Sequence, residues 1–129
     1  MIGRRPVLAG LAMAMLAGSV PARGKRVEEV EPYGLIGKIK ARPGKRAELV
    51  ALLSGGTGDM PGCMAYLIAE DLKDADGIWI TEIWKTRQFH ADSLKLPAVQ
   101  AAIAKGRPLI AGFETHVETR PVTGIGIKG

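Results

Sequence analysis

Five side chains in this 129-residue sequence, Tyr66, Glu82, Trp84, His90 and Arg107, are of types that could together bind a ligand and move its proton. Glu82 and Trp84 stand two residues apart in a run, 78–85, whose alternation puts both on one face of a strand with Ile78 and Ile80. A carboxyl on such a face loses water, which raises its pKa, unless a Lys or Arg pairs with it. Trp84 offers a flat wall to a pocket, or simply fills a core. His90 follows Trp84 by six residues and can serve as a base or proton relay near neutral pH, or as a surface or capping histidine. Tyr66 can orient an oxygen or sit in the core with its hydroxyl paired. Arg107 can hold an anionic oxygen or end a helix in solvent. His116 falls on the polar face of the last strand and reads as structural or solvent-facing. Cys63 has apolar neighbours and reads as a small buried residue. As the one cysteine, it excludes an intrachain disulfide and a cysteine-based zinc or iron–sulfur site. No carboxylate–histidine cluster has metal-ligand spacing, and no Gly-rich phosphate loop follows a strand.

The elements that must position these residues are legible from periodicity. Residues 33–41 alternate, with Leu35, Gly37, Ile39 and Ala41 opposite Ile36, Lys38 and Lys40. Pro43-Gly44 breaks this strand, and 45–54 has helical spacing with Leu49, Leu52 and Leu53 in a stripe ended by Gly55-Gly56. A second strand spans 63–70, with Met64, Tyr66 and Ile68 opposite Cys63, Ala65, Leu67 and Ala69. The polar stretch 71–77 joins it to the third strand as a hairpin. Thr86 caps a helix over 87–94, and Pro97 opens another over 98–105 carrying Val99, Ala102 and Ile103. The last strand covers 113–121, with Phe113, Thr115, Val117 and Thr119 opposite Glu114, His116, Glu118 and Arg120. The order β-α-β-β-α-β predicts an α+β, ferredoxin-like split-βαβ fold with an antiparallel four-stranded sheet and both helices on one face. Strands apolar on both faces leave one face uncovered, and two such sheets back to back form an isologous homodimer.

The first 22 residues read as an export signal. Arg4-Arg5 supply the charged start, 7–18 the apolar run, and Ser19-Val-Pro-Ala22 the small-residue exit. The arginine pair followed by Val7-Leu8 fits the twin-arginine route, and the general secretory route stays open. The apolar run is too short to span a bilayer, so no stable membrane span is expected after cleavage, and the protein is expected to be periplasmic or secreted. Residues 23–32 form a charged linker, 33–121 the domain and 122–129 a tail. Part of the net charge of +5 belongs to the signal. No Lys/Arg run with interleaved aromatics follows residue 26, which argues against nucleic acid as a partner.

Several phrases carry a resemblance to a known family. Tyr33-Gly-Leu-Ile-Gly-Lys-Ile-Lys-Ala-Arg-Pro-Gly-Lys-Arg46 resembles the opening strand and helix of antibiotic biosynthesis monooxygenase domains. Met60-Pro-Gly-Cys63 with Tyr66 resembles their second-strand entry, and Thr81-Glu-Ile-Trp84 their third-strand Glu-x-Trp. Leu94-Lys-Leu-Pro-Ala-Val-Gln-Ala-Ala-Ile103 and Gly106-Arg-Pro-Leu-Ile110 are similar to the quinol monooxygenase branch. The resemblance covers about residues 33–121. It implies a dimeric α+β barrel that oxygenates a quinol or similar hydroxylated aromatic with dioxygen, without metal, flavin or haem. On that implication Trp84 and His90 are the catalytic candidates, while Tyr66, Glu82 and Arg107 contact the substrate. The best-described branch carries Asn where Ile80 stands and Tyr where His90 stands, and many relatives have His at Ser93. These departures leave open a second reading, a non-catalytic dimeric module that binds an aromatic metabolite or haem.

Overall fold

The computed structural model describes residues 30–125. The export signal expected over 1–22, most of the linker and the end of the tail lie outside the described residues. Strand β1 (Tyr33–Ala41) leads to helix α1 (Arg46–Gly56), then to strands β2 (Cys63–Glu70) and β3 (Gly77–Trp84). Helices α2 (Arg87–Ser93) and α3 (Pro97–Gly106) follow, and a 3₁₀ turn (Arg107–Leu109) feeds strand β4 (Ile110–Thr119). The sheet order is β2-β3-β1-β4, antiparallel throughout, which is the expected ferredoxin-like α+β fold.

Period-two patterning decides which face is covered. Leu35, Ile39 and Ala41 of β1 and Ile78, Ile80 and Trp84 of β3 are all buried beneath the helices. One core cluster joins Ile39, Ala41, Ile78, Ile80 and Ile110 to Leu49 and Leu53 of α1. A second joins Tyr33, Leu35 and Trp84, with Met60 and Cys63 packed against it. Local chemistry fixes the helix starts. Thr86 Oγ1 accepts from the Phe89 amide at the head of α2, and Pro97 occupies the first turn of α3, where its missing N–H costs nothing. The guanidinium of Arg46 donates to the carbonyls of Asp71 and Asp74 at 3.1 and 3.0 Å, which ties α1 to the β2–β3 turn.

Three expectations need correction. Helix α1 runs through Gly55 and Gly56 instead of ending before them. Gly56 is buried against α3, where a Cβ would stand 2.5 Å from the Cβ of Ala102, so the missing side chain lets the two helices approach. Along β4 the register steps from Lys38↔Thr115 to Ile39↔Phe113, so Glu114 is extra. This bulge turns Phe113 to the same face as His116 and Glu118, away from Thr115 and Val117. A second shift, between Cys63 and Ala65, sets Cys63 opposite Trp84 and beside the core, where it is half-buried. Strict alternation had put it with Ala65 and Leu67.

Among the described residues, no helix covers the opposite face of the sheet. Val117, Ile36, Thr81 and Leu67 are direct cross-strand partners in that order and form one row across all four strands. Val117 and Leu67 are 46% and 60% exposed. At one end of this face, Lys38 pairs with Asp74 at 3.0 Å and Glu114 at 3.1 Å.

Candidate functional site

A cavity of about 70 Å³ lies between the two core clusters, under the helices. Its floor is the covered face of the sheet. Glu82 and Trp84 reach it because they are two residues apart on β3, and Tyr66 because the β2–β3 register sets it directly opposite Glu82. Phe113 and His116 reach it from β4 through the bulge at Glu114. The roof comes from His90 and Ser93 of α2, Leu94 behind them, and Val99 of α3. Thr57 and Met60, from the loop between α1 and β2, close one side. The lining is mainly apolar with a few polar groups converging on it, as small-molecule sites usually are.

The polar groups form a connected set. Trp84 Nε1 donates to Glu82 Oε1 at 2.9 Å, and the same oxygen lies 3.8 Å from His90 Nε2. The His90 ring meets the Trp84 ring edge-on at 5.4 Å between centroids and tilts against Tyr33 at 5.6 Å. Beyond Tyr33, its hydroxyl donates to Glu118, which also accepts from Arg87 Nη1 at 3.0 Å. The Arg87 guanidinium stands 4.5 Å from the Tyr33 ring centroid, a cation–π distance. Tyr33, Glu118 and Arg87 thereby back one side of the imidazole. Ser93 Oγ donates to the His90 carbonyl at 2.6 Å and fixes the turn of α2 that carries the ring.

Burial sets the protonation of this group. Glu82 is pushed up to about 7 by loss of water, against the lowering effect of the Trp84 hydrogen bond. His90 is pushed down to about 4, again mainly by burial; Glu118 opposes this, and Arg87 and His116 add to it. Near neutral pH the imidazole is uncharged and the carboxyl is about half ionised, so their 3.8 Å approach is a polar contact more than an ion pair. Burial, then the nearby Glu82, holds the Tyr66 phenol well above its ordinary range.

Four of the five residues singled out from the sequence therefore share one cavity: Tyr66, Glu82, Trp84 and His90. Trp84 and His90 are 1% and 3% exposed, so each is a core side chain as well as a cavity wall. Glu82 makes no ion pair with Lys or Arg among the described residues; Trp84 is its hydrogen-bond partner. Arg107 is not brought in. It lies exposed on the 3₁₀ turn, away from the cavity lining. His116, read from the sequence as structural or solvent-facing, is exposed, and it also borders the cavity. Strict alternation along 113–121 could not reveal its company with Phe113, because the bulge breaks that alternation. Ser93 and Met60 also line the site; the sequence had marked Ser93 only as a departure from relatives and Met60 only within the phrase that enters the second strand.

The model of the antibiotic biosynthesis monooxygenase family matches residues 32–105. A solved structure from Chloroflexus aurantiacus, described as a candidate antibiotic biosynthesis monooxygenase, shares 56% identity over 72% of this chain and 95% of its own, with a TM-score of 0.71. A similarly described protein from Caulobacter crescentus shares 18% identity over 77% of this chain and 97% of its own (TM-score 0.65). The Mycobacterium tuberculosis protein Rv0793 shares 21% identity over 72% and 97% (TM-score 0.62). The last two show the fold alone. Among curated proteins no significant match is found. With a family model covering more than half of the chain and a majority-identical structure over nearly three quarters of it, this chain is a member of the antibiotic biosynthesis monooxygenase family.

Proposed function

We propose that this protein is a monooxygenase that oxidises a quinol or similarly hydroxylated aromatic with dioxygen, using no bound cofactor. One observation carries the reading: Tyr66, Glu82, Trp84 and His90 converge on a single, mainly apolar cavity. Oxygenation of this kind begins with loss of a hydroxyl proton, after which the electron-rich anion passes an electron to dioxygen. The protein's share is a dry pocket, a proton acceptor and donors that steady the anion. The buried indole of Trp84 gives an aromatic wall, and the titrating groups beside it give the proton route.

The cavity is about half the roughly 150 Å³ that accommodates benzene in an engineered apolar site. Entry of a ring therefore calls for side-chain movement at the rim. Met60 is suited to this, since its unbranched chain changes rotamer at little cost. We further propose that two copies pack through the row from Val117 to Leu67 as an isologous homodimer, and that the mature protein acts outside the cytoplasm. No helix among the described residues is long and apolar enough to cross a membrane.

Oxygen uptake by the purified protein with reduced naphthoquinones tests the activity. Uptake above the autoxidation rate is the expected result. Uptake at the autoxidation rate, with saturable quenching of Trp fluorescence by the same compounds, would make the protein an aromatic-binding module instead. N-terminal sequencing of exported protein, expected to begin at Arg23, tests the localisation.

A further inference from the structure

We propose that Glu82 is the proton acceptor for the phenolic hydroxyl of the ligand, that Trp84 positions its carboxylate, and that Tyr66 donates to the phenolate formed. This rests on the reading of the cavity as an aromatic site. The two residues nearest this chemistry are cross-strand partners: Tyr66 on β2 faces Glu82 on β3 in the sheet register, and both line the cavity. Each has polar capacity left over. Glu82 Oε1 is engaged by Trp84, while its second oxygen has no donor among the described residues. The Tyr66 hydroxyl likewise has no hydrogen-bond partner among them. A carboxylate held at one oxygen and open at the other is an acceptor with a fixed direction. A phenol kept protonated by burial is a donor.

The surroundings favour Glu82 over His90 for this task. The groups packed around Glu82 are Tyr33 from β1, Cys63 and Tyr66 from β2 and His90 from α2, with His116 of β4 at the same cavity. None of these is a fixed cation. The ammonium of Lys38, whose residue also borders the cavity, is held by Asp74 and Glu114, and Arg87 is held at Glu118 behind Tyr33. Loss of water therefore raises the carboxyl, against the lowering Trp84 hydrogen bond, so that it titrates near 7, compared with about 4 for the imidazole. The carboxylate is the stronger base of the two, and it is the one with an oxygen open to the cavity. In the step itself the ligand O–H bond breaks. Its proton moves to the open oxygen of Glu82, and the electron pair stays on the phenolate oxygen, where Tyr66 donates a hydrogen bond. No oxidant is consumed at this stage.

The test uses 4-cyanophenol, which is mainly un-ionised in water at pH 7 and whose phenolate absorbs at longer wavelength, with wild type, E82Q, E82D, H90Q and R107Q. At pH 7 the wild type is expected to bind the probe as phenolate, with a new protonated-carboxyl band in the infrared spectrum. E82Q is expected to bind it as the neutral phenol, E82D to recover part of the phenolate, and R107Q, changed outside the cavity, to keep it in full. With a reduced naphthoquinone, E82Q is expected to slow oxygen uptake about 100-fold or more and to lose the rise of rate through pH 7. A phenolate band unchanged in E82Q, or one lost in H90Q alone, overturns the assignment to Glu82 while leaving the oxygenase reading in place. A phenolate band in wild type without oxygen uptake overturns the oxygenase reading and supports Glu82. Failure of the wild type to bind the probe overturns both.

Discussion

Trp84 and Glu82 are bonded side chain to side chain along a single strand face: the indole Nε1 donates to Oε1 at 2.9 Å across one intervening residue. The strand repeat of two makes this contact available, and burial of both partners makes it matter. It uses the indole edge, leaving the ring faces for packing, and holds the carboxyl at the cavity floor. Phenylalanine at 84 keeps most of the ring but removes the donor. W84F is expected to push the Glu82 pKa further above 7, because the one interaction lowering it is gone. Loss of ring volume and of a buried hydrogen bond is expected to destabilise the fold by about 2–4 kcal/mol. Carbon-13 NMR of labelled glutamate reads the first effect, and urea denaturation the second.

Glu82 and His90 are expected to give stability opposite slopes with pH. The Glu82 carboxyl rises from 4.5 to about 7 on folding. Between these values the folded state holds more protons than the unfolded chain, so stability falls as pH rises. The His90 imidazole drops from 6.5 to about 4. In that window the unfolded chain holds more protons, so stability falls as pH drops. From pH 4.5 to 6.5 the two nearly cancel in the wild type. Asp71 and Asp74, held low chiefly by Trp79 and Lys40 respectively, titrate below this window. E82Q is expected to show stability rising with pH there, and H90Q stability falling with pH, each by up to about 3 kcal/mol. Urea midpoints of the three proteins at half-unit pH steps decide this; parallel profiles would refute it.

Gly62 is expected to be intolerant of a side chain. Its φ is +80°, and a Cβ there would stand 2.2 Å from Cγ of Phe89. G62A should cost about 1–3 kcal/mol, part of it backbone strain and part displacement of the ring. The ring is 37% exposed and can swing outward, so F89A should recover the steric part and leave the strain. A double-mutant cycle by thermal denaturation separates the two: additive effects would mean that the ring is not the obstacle.

Much of this architecture was legible because burial imposes a period. Ile78, Ile80, Glu82 and Trp84 were placed on one face by alternation alone, and the structure puts that face under the helices. His90 on the helix leaving the strand then had to fall near Trp84. What alternation could not show were its interruptions. The extra residue at Glu114 carries Phe113 to the face of His116, and the shift at Cys63 turns that thiol toward Trp84. A bulge changes the count by one, and the glycines beside the two sites, Gly62 and Gly112, do not tell which residue is the extra one. Arg107 was singled out for its charge, which says nothing of direction; the 3₁₀ turn presents it to solvent.

The uncovered sheet face offers the last prediction. Val117, Ile36, Thr81 and Leu67 follow one another across β4, β1, β3 and β2, so the row has no gap a charged side chain could occupy. Two copies related by a two-fold axis would each cover the other's row, which removes apolar area from water without a new element. A lysine at 36 would put a charge at the centre of that contact, because Ile36 pairs with Thr81 on one side and Val117 on the other. I36K is expected to be monomeric and to melt as well as wild type when both are diluted below the dimer's dissociation constant. A lysine at Leu72, 99% exposed in the turn beyond β2, is expected to leave the dimer intact. Sedimentation equilibrium of the wild type, I36K and L72K separates these cases. A wild type that is monomeric at all concentrations would mean that the row stays exposed, and the homodimer would be abandoned.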